Sequence, residues 1–241
     1  MNERELTGYP SIDKPWQQYY SEAACRAPLP ACTVWENIYE RNKAHPDDTA
    51  LLYFGKKISY GKLFSEVDRT ARALAHLGVK NGDNAAVCMP AVPEAIYTIL
   101  ALNKLGANAG MLNPTFSEAR LTERVNEMEA DVLLVVNELY PIVHNVILKT
   151  TVRHVVTCPA VNSLGAFARL AKKAKPIPGT ISWNTFIRQG QGTAYEIAPY
   201  EKQKPAIMVF SSGTTGASKG IQLTNDGINA TICEYENGGF G

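Results

Sequence analysis

The sequence predicts an α/β fold, a mostly parallel sheet with helices on both faces. Three observations lead there. From Ala50 onward, short apolar runs alternate with longer segments that are apolar at helical spacing, the pattern of α/β proteins with right-handed crossovers. Two of the runs, Asp131–Val136 and His154–Cys158, read as continuous apolar strands, the composition of parallel strands covered on both faces. The 241 residues are 45% hydrophobic and 20% charged, ordinary globular material with enough apolar residues for a core.

Residues 1–32 read as an N-terminal arm. Prolines at 10, 15, 28 and 30 interrupt regular structure, and Tyr9, Trp16, Tyr19 and Tyr20 would give the arm contact area on the body. Residues 33–204 read as an α/β unit. It opens with a helix over Thr33 to Asn42, where Val34, Ile38 and Tyr39 recur at helical spacing. Ala50–Phe54 and Ile58–Tyr60 flank Gly55-Lys56-Lys57, a hairpin signal. Leu63, Val67, Ala71, Leu74 and Leu77 then form one apolar stripe that stops at Gly78, a residue suited to a left-handed helix cap. A strand over Ala85–Met89, a helix over Pro93–Leu105 and a short strand near Gly110–Leu112 follow. Asn113-Pro114 reads as a turn, and Ser117 as the cap of a helix ending near Glu129. After the two apolar strands, Arg169 to Lys175 reads as the solvated face of a helix end. Pro176 to Gln203 is looser and reads as a connection. Residues 205–241 form the last unit, a hairpin and the start of a further, truncated subdomain. No repeat of solenoid length occurs.

Charge and cysteine usage exclude several classes. The formal net charge is +1, so no electrostatic argument points to nucleic acid or an acidic membrane surface. Five scattered cysteines form no C-x-x-C pair, which suits a reduced compartment and gives no zinc site. Cys88 and Cys158 lie in strand-like runs and read as packing residues. The polar start, Met1-Asn2-Glu3-Arg4-Glu5, shows no secretory signal. The longest apolar stretch, Ala85 to Leu102, contains Pro90, Pro93 and Glu94 and reads as strand, turn and helix rather than a membrane span. The expectation is a soluble, cytoplasmic protein with no bound metal of its own and an open oligomeric state. The histidines at 45, 76, 144 and 154 show no motif, and Asp47-Asp48 and Glu127/Glu129 read as solvated surface.

The most informative segment is Ser211-Ser212-Gly213-Thr214-Thr215-Gly216-Ala217-Ser218-Lys219-Gly220. Five hydroxyl side chains, three glycines and a lysine in ten residues make a loop suited to polyphosphate. Glycines let backbone N–H groups approach oxygens closely, and successive inward N–H groups form an anion-binding nest. Hydroxyls add donors and a possible Mg²⁺ contact, and Lys219 adds a point positive charge. The Walker nucleotide loop requires a glycine before its lysine, but Lys219 follows Ser218. The flanks disagree with it too. Pro205–Phe210 reads as a buried strand, and Gly220–Thr224 alternates as a second strand, whereas a Walker loop opens a helix. Gly190-Gln191-Gly192 lacks the third glycine of a dinucleotide fingerprint and reads as a loop. Thr224-Asn225 reads as a strand end and helix cap.

This segment resembles the phosphate-binding signature of the adenylate-forming enzymes: acyl-CoA and aryl-CoA synthetases, luciferases and peptide-synthetase adenylation domains. Their pattern is close to S-S-G-T-T-G-x-P-K-G, and only Ser218 departs from it, standing where the family has proline. Ile58–Leu63, Leu77–Asp83 with Ala86–Pro90, Pro93-Glu94 through Lys104–Ala107, and Leu112-Asn113-Pro114 resemble successive segments of the same family in the same order. The match runs from about residue 30 to the end.

The resemblance implies the N-terminal part of the large domain of such an enzyme, an acyl-CoA synthetase acting on a fatty or related acid. It implies that Ser211, Ser212, Gly213, Thr214, Thr215, Gly216 and Lys219 bind ATP through its β- and γ-phosphates. Of these, Thr214 and Lys219 would bear most directly on catalysis. A carboxylate attacks the α-phosphorus, and coenzyme A's thiol then takes the acyl group. ATP, Mg²⁺ and coenzyme A are the implied cofactors and co-substrates, with a small carboxylic acid as substrate. The family's Y-G-x-T-E segment, its ribose-binding aspartate and its terminal lysine-bearing domain are absent from these residues, so the chain alone is expected to lack turnover. Aryl-CoA ligases and carrier-protein adenylation enzymes share the chemistry and stay open. A short non-catalytic nucleotide-binding module and an unfamiliar phosphate-loop NTPase are the readings from other classes.

Overall fold

The computed structural model describes residues 7–164, 176–211 and 219–237. Its main feature is a seven-stranded sheet. The strands are β3 (Asn84–Cys88), β4 (Asn108–Met111), β5 (Val132–Val136), β6 (His154–Cys158), β7 (Ile181–Ser182), β8 (Pro205–Phe210) and β9 (Gly220–Thr224), in the spatial order β7-β6-β5-β3-β4-β8-β9. Every pair from β7 to β8 is parallel, and only the edge strand β9 runs antiparallel, to β8. A separate two-stranded ribbon joins β1 (Thr49–Tyr53) and β2 (Lys56–Ser59).

Helices cover both faces, and the two-residue period of the strands sorts side chains between them. Ala85, Val87, Val132, Leu134 and Val156 face one cluster with α3 (Val34–Asn42), α4 (Tyr60–His76), α5 (Pro93–Leu105) and α8 (Trp183–Gln189). Their sequence neighbours Ala86, Cys88, Leu133, Val135 and Val155 face the other, with α6 (Glu118–Glu127) and α7 (Tyr140–Ile147). The expected fold class is what the chain adopts. Two short helices, α1 (Pro10–Asp13) and α2 (Glu22–Arg26), precede α3, and α9 (Asn225–Asn237) follows β9.

Local chemistry explains most boundaries. Thr33 and Glu36 form a reciprocal capping box on α3, satisfying two backbone donors at once. Ser59 caps α4 and Ser117 caps α6. Pro93 starts α5, where its missing N–H costs nothing. Gly78, at φ 93°, takes the left-handed position after α4. Cys88 and Cys158 are fully buried; burial pushes the Cys88 thiol up to about 11 and the Cys158 thiol upward too.

Some expectations need correction. The β1–β2 turn consists of Phe54 and Gly55, at φ 45° and 79°, positive at both central positions as in a type I′ hairpin turn; Lys56 and Lys57 belong to β2. Tyr60 opens α4 rather than ending a strand. Of the four rings expected to hold the arm to the body, Tyr9 and Tyr19 are 66% and 79% exposed, whereas Trp16 and the half-buried Tyr20 line a cleft with Ala230, Cys233 and Glu234 of α9. Pro176–Gln203 is not merely a connection, since it contains β7 and α8. The basic run Arg169–Lys175 lies outside the described residues.

Candidate functional site at the carboxyl ends of the strands

The chain leaves β3 toward β4 on one side and leaves β4 toward β5 on the other. The strand order therefore reverses around β3 and β4, and ligands of open α/β sheets bind outside the carboxyl ends of the strands at such a point. The carboxyl end of β8 lies beside that of β4. Ser211, the first residue of the segment 211–219, follows directly from this end.

The base of that segment is held closed. The Ser211 amide donates to the Lys219 carbonyl at 3.1 Å, and the Lys219 amide donates to Ser211 Oγ at 3.2 Å. Phe210 pairs with Gly220 directly below. Ser211 is half-buried and Lys219 exposed. Ser212, Gly213, Thr214, Thr215 and Gly216 lie outside the described residues. The structure thus brings Ser211 and Lys219 together at the neck of one hairpin, between β8 and β9.

Residues that carried no motif fix this hairpin to the body. Asn225, buried at the start of α9, accepts through Oδ1 from the Val34 amide at 3.0 Å and from Asn103 Nδ2 at 2.8 Å. Asn103 Oδ1 accepts from the Trp35 amide at 2.9 Å. Two orphan amides at the start of α3 are thereby capped by side chains from α5 and α9. Asn229, fully buried, donates to the Cys32 carbonyl and accepts from Asn37. Asp226 accepts from Tyr200 Oη at 2.6 Å and the Gln203 amide at 2.7 Å. These bonds hold its carboxyl below the usual range, the Tyr200 bond contributing most. Thr224 Oγ1 accepts from the Gly227 amide at 3.1 Å, so Thr224 caps α9 as expected. Asn103 was legible in principle, as a polar residue inside an otherwise apolar helix.

On the other side of β8, Arg124 of α6 stacks its guanidinium 5.5 Å from the Phe210 ring and pairs with Glu127 and Glu123. The loop after β4 borders a cleft of about 570 Å³ with Asn113, Phe116, Arg120 and Glu123. Asn113 Oδ1 accepts from the Thr115 amide and hydroxyl, which makes Asn113-Pro114 a side-chain-closed turn. Among the described residues, no group of three or more His, Cys, Asp or Glu could hold a metal ion. None of the helices described is long and apolar enough to cross a membrane.

A mostly parallel α/β sheet whose strand order reverses belongs to the class that holds its ligands outside the carboxyl ends of the strands. The family model described as AMP-binding enzyme matches residues 38–240, and the chain belongs to that family. It is similar to acetyl-coenzyme A synthetase 1 of Candida albicans, 31% identical over 76% of this chain and 28% of that protein. It is also similar to the long-chain-fatty-acid–CoA ligase of Bacillus subtilis, 25% identical over 91% of this chain and 42% of that protein. Among solved structures, the anthranilate CoA ligase AuaEII in complex with anthranoyl-AMP superposes with a TM-score of 0.70 at 25% identity, covering 84% of this chain and 36% of that one. The chain spans less than half the length of each of these relatives.

Proposed function

We propose that this chain is the N-terminal part of an ATP-dependent acid–thiol ligase. In that reaction a carboxylic acid and ATP give an acyl-adenylate and pyrophosphate, and coenzyme A then takes the acyl group as a thioester. The observation that carries the reading is the segment from Ser211 to Gly220, stapled at its neck at the carboxyl end of β8, in a chain of the AMP-binding enzyme family.

The chemistry follows from charge. An anionic carboxylate must approach an anionic triphosphate, so the phosphates must be neutralised and held in line. Ser211, Ser212, Thr214 and Thr215 offer hydroxyl donors, Gly213 and Gly216 allow close backbone approach, and Lys219 adds charge on the leaving pyrophosphate. Mg²⁺ prefers oxygen ligands, keeps much of its water and binds through substrate phosphates. That suits a loop rich in hydroxyls. When bound, it would neutralise phosphate charge. The fatty-acid reading rests on the Bacillus subtilis relative, and the acetyl and anthranilate relatives make acyl size the property to measure.

Two outcomes are expected. In a full-length ligase containing this chain, Lys219→Ala slows adenylate formation, read by ATP–pyrophosphate exchange, on the order of 10²-fold; an unchanged rate removes the lysine from the mechanism. The 241-residue chain, supplied with ATP, Mg²⁺, coenzyme A and acetate, palmitate or anthranilate, forms no thioester. Robust thioester formation by the chain alone would overturn its inactivity.

A further inference from the structure

A second cleft, of about 590 Å³, opens between the β1–β2 ribbon, α4, α5 and α8. That is the size of a small-molecule site, and the feature that defines it is Glu94. This residue is the second of α5 and is 1% exposed. Its Oε1 accepts from Asn162 Nδ2 and from Ser163 Oγ, both at 2.7 Å. Its Oε2 is buried with no hydrogen-bond partner. Both donors are neutral, and no lysine or arginine pairs with Glu94 among the described residues.

The cations around the cleft are mostly committed elsewhere. Lys62 and Arg69 both donate to Glu66 Oε1, at 2.6 and 2.9 Å. Lys56 donates to the Ser163 carbonyl at 2.7 Å. Lys57 lines the cleft, is exposed and forms no ion pair with the described residues. Oε2 thus bears the desolvation cost of a buried acceptor left without a donor, at the N-terminal end of α5. The complement to Oε2 is therefore a group with both N–H donors and positive charge. The complement to Lys57 is an acid. Tyr97, Trp183 and Ile187 add apolar lining, and Asp47, also lining the cleft, disfavours a second negative charge on the ligand.

We infer that this cleft binds a small amine-bearing monoacid, with its ammonium against Glu94 Oε2 and its acid group at Lys57. The site is independent of the phosphate-loop reading. The test uses the 241-residue chain and three probes of one length: 5-aminopentanoate, pentanoate and pentylamine, with binding read by ligand-detected NMR titration. The amino acid binds about tenfold or more tightly than either single-ended probe. Glu94→Gln and the exposed Lys57→Glu each weaken it by a similar factor, while circular dichroism reports an unchanged fold. Lys219→Ala leaves binding intact, so failure here and failure of the ligase reading are distinguishable. Absence of binding up to about 10 mM, equal binding of all three probes, or loss of binding in Lys219→Ala rather than Lys57→Glu would each overturn the inference. Should Glu94→Gln fail to fold, Lys57→Glu and the probe series decide it alone.

Discussion

Gly190 caps α8, and a Cβ built there would lie 2.4 Å from Ala73 Cα and 2.5 Å from Ala73 N, both backbone atoms of α4. Backbone cannot yield as a flexible side chain can, so Gly190→Ala must push α8 away from α4. Overpacking of this kind costs about 2–3 kcal/mol, a fall in Tm of roughly 4–12 °C for a chain of this size. Gly192 provides the contrast. It has φ 80° but nothing within 4 Å of the added carbon, so Gly192→Ala incurs only backbone strain, about 1–2 kcal/mol. Thermal melts of both variants check the order, and equal losses would mean that the α8–α4 contact is not close-packed. Read from sequence, Gly190 and Gly192 are a loop, which shows neither the helix that Gly190 ends nor this contact, because close approach to Ala73 leaves no local signal in either segment.

At the scale of elements, α4, α5 and the segment before β8 meet at one charged cluster. Asp68 accepts from Tyr195 Oη at 2.5 Å, Arg72 Nε at 2.9 Å and Lys104 Nζ at 3.3 Å. The Lys104 ammonium lies 4.7 Å from the Trp35 ring centre and 5.2 Å from that of Tyr195. Burial alone would raise the Asp68 carboxyl, but the Tyr195 and Arg72 bonds and the Lys104 charge outweigh it and hold it below the usual range. A carboxyl depressed in the folded state stabilises fully above its unfolded value, about 4. That contribution drains as pH falls through the lower, folded value. Denaturant midpoints of wild type should therefore fall below about pH 4 more steeply than those of Asp68→Asn. Parallel curves would remove Asp68 from the acid response. Asp68 and Tyr195 sit 127 residues apart, which is why periodicity revealed α4 and α5 but not their joint. The same limit hid α8. Ser182, Trp183, Phe186 and Ile187 carry a cap and an i, i+3, i+4 apolar face, but β7 is two residues long, too short for a strand period to register. The phosphate-loop segment was legible because its chemistry is contiguous, whereas Asn103, Asn225 and Asn229 act together only after folding.

Across the whole molecule, coverage is uneven. The strands from β3 to β6 are buried on both faces, whereas β8 is half-buried along most of its length and β9 is exposed through Gln222 and Leu223. Val209 pairs with Ile221 and Ile207 with Leu223, so these four side chains form a strip. Ile221 and Leu223 are 47% and 38% exposed. The strand is also hydrogen-bonded on one side only, with β8 as its sole partner strand among the described residues. An edge that is both apolar and unpaired is a template for association. The relatives are more than twice as long as the part they share with this chain. Studied alone, the chain should self-associate as its concentration rises toward about 100 μM, read by sedimentation velocity. Ile221→Lys should reduce that association and shift stability by no more than about 0.5 kcal/mol, because it places a charge on an exposed edge rather than in the core. A chain that stays monomeric throughout, or an Ile221→Lys variant that associates as strongly as wild type, would locate the contact away from β9.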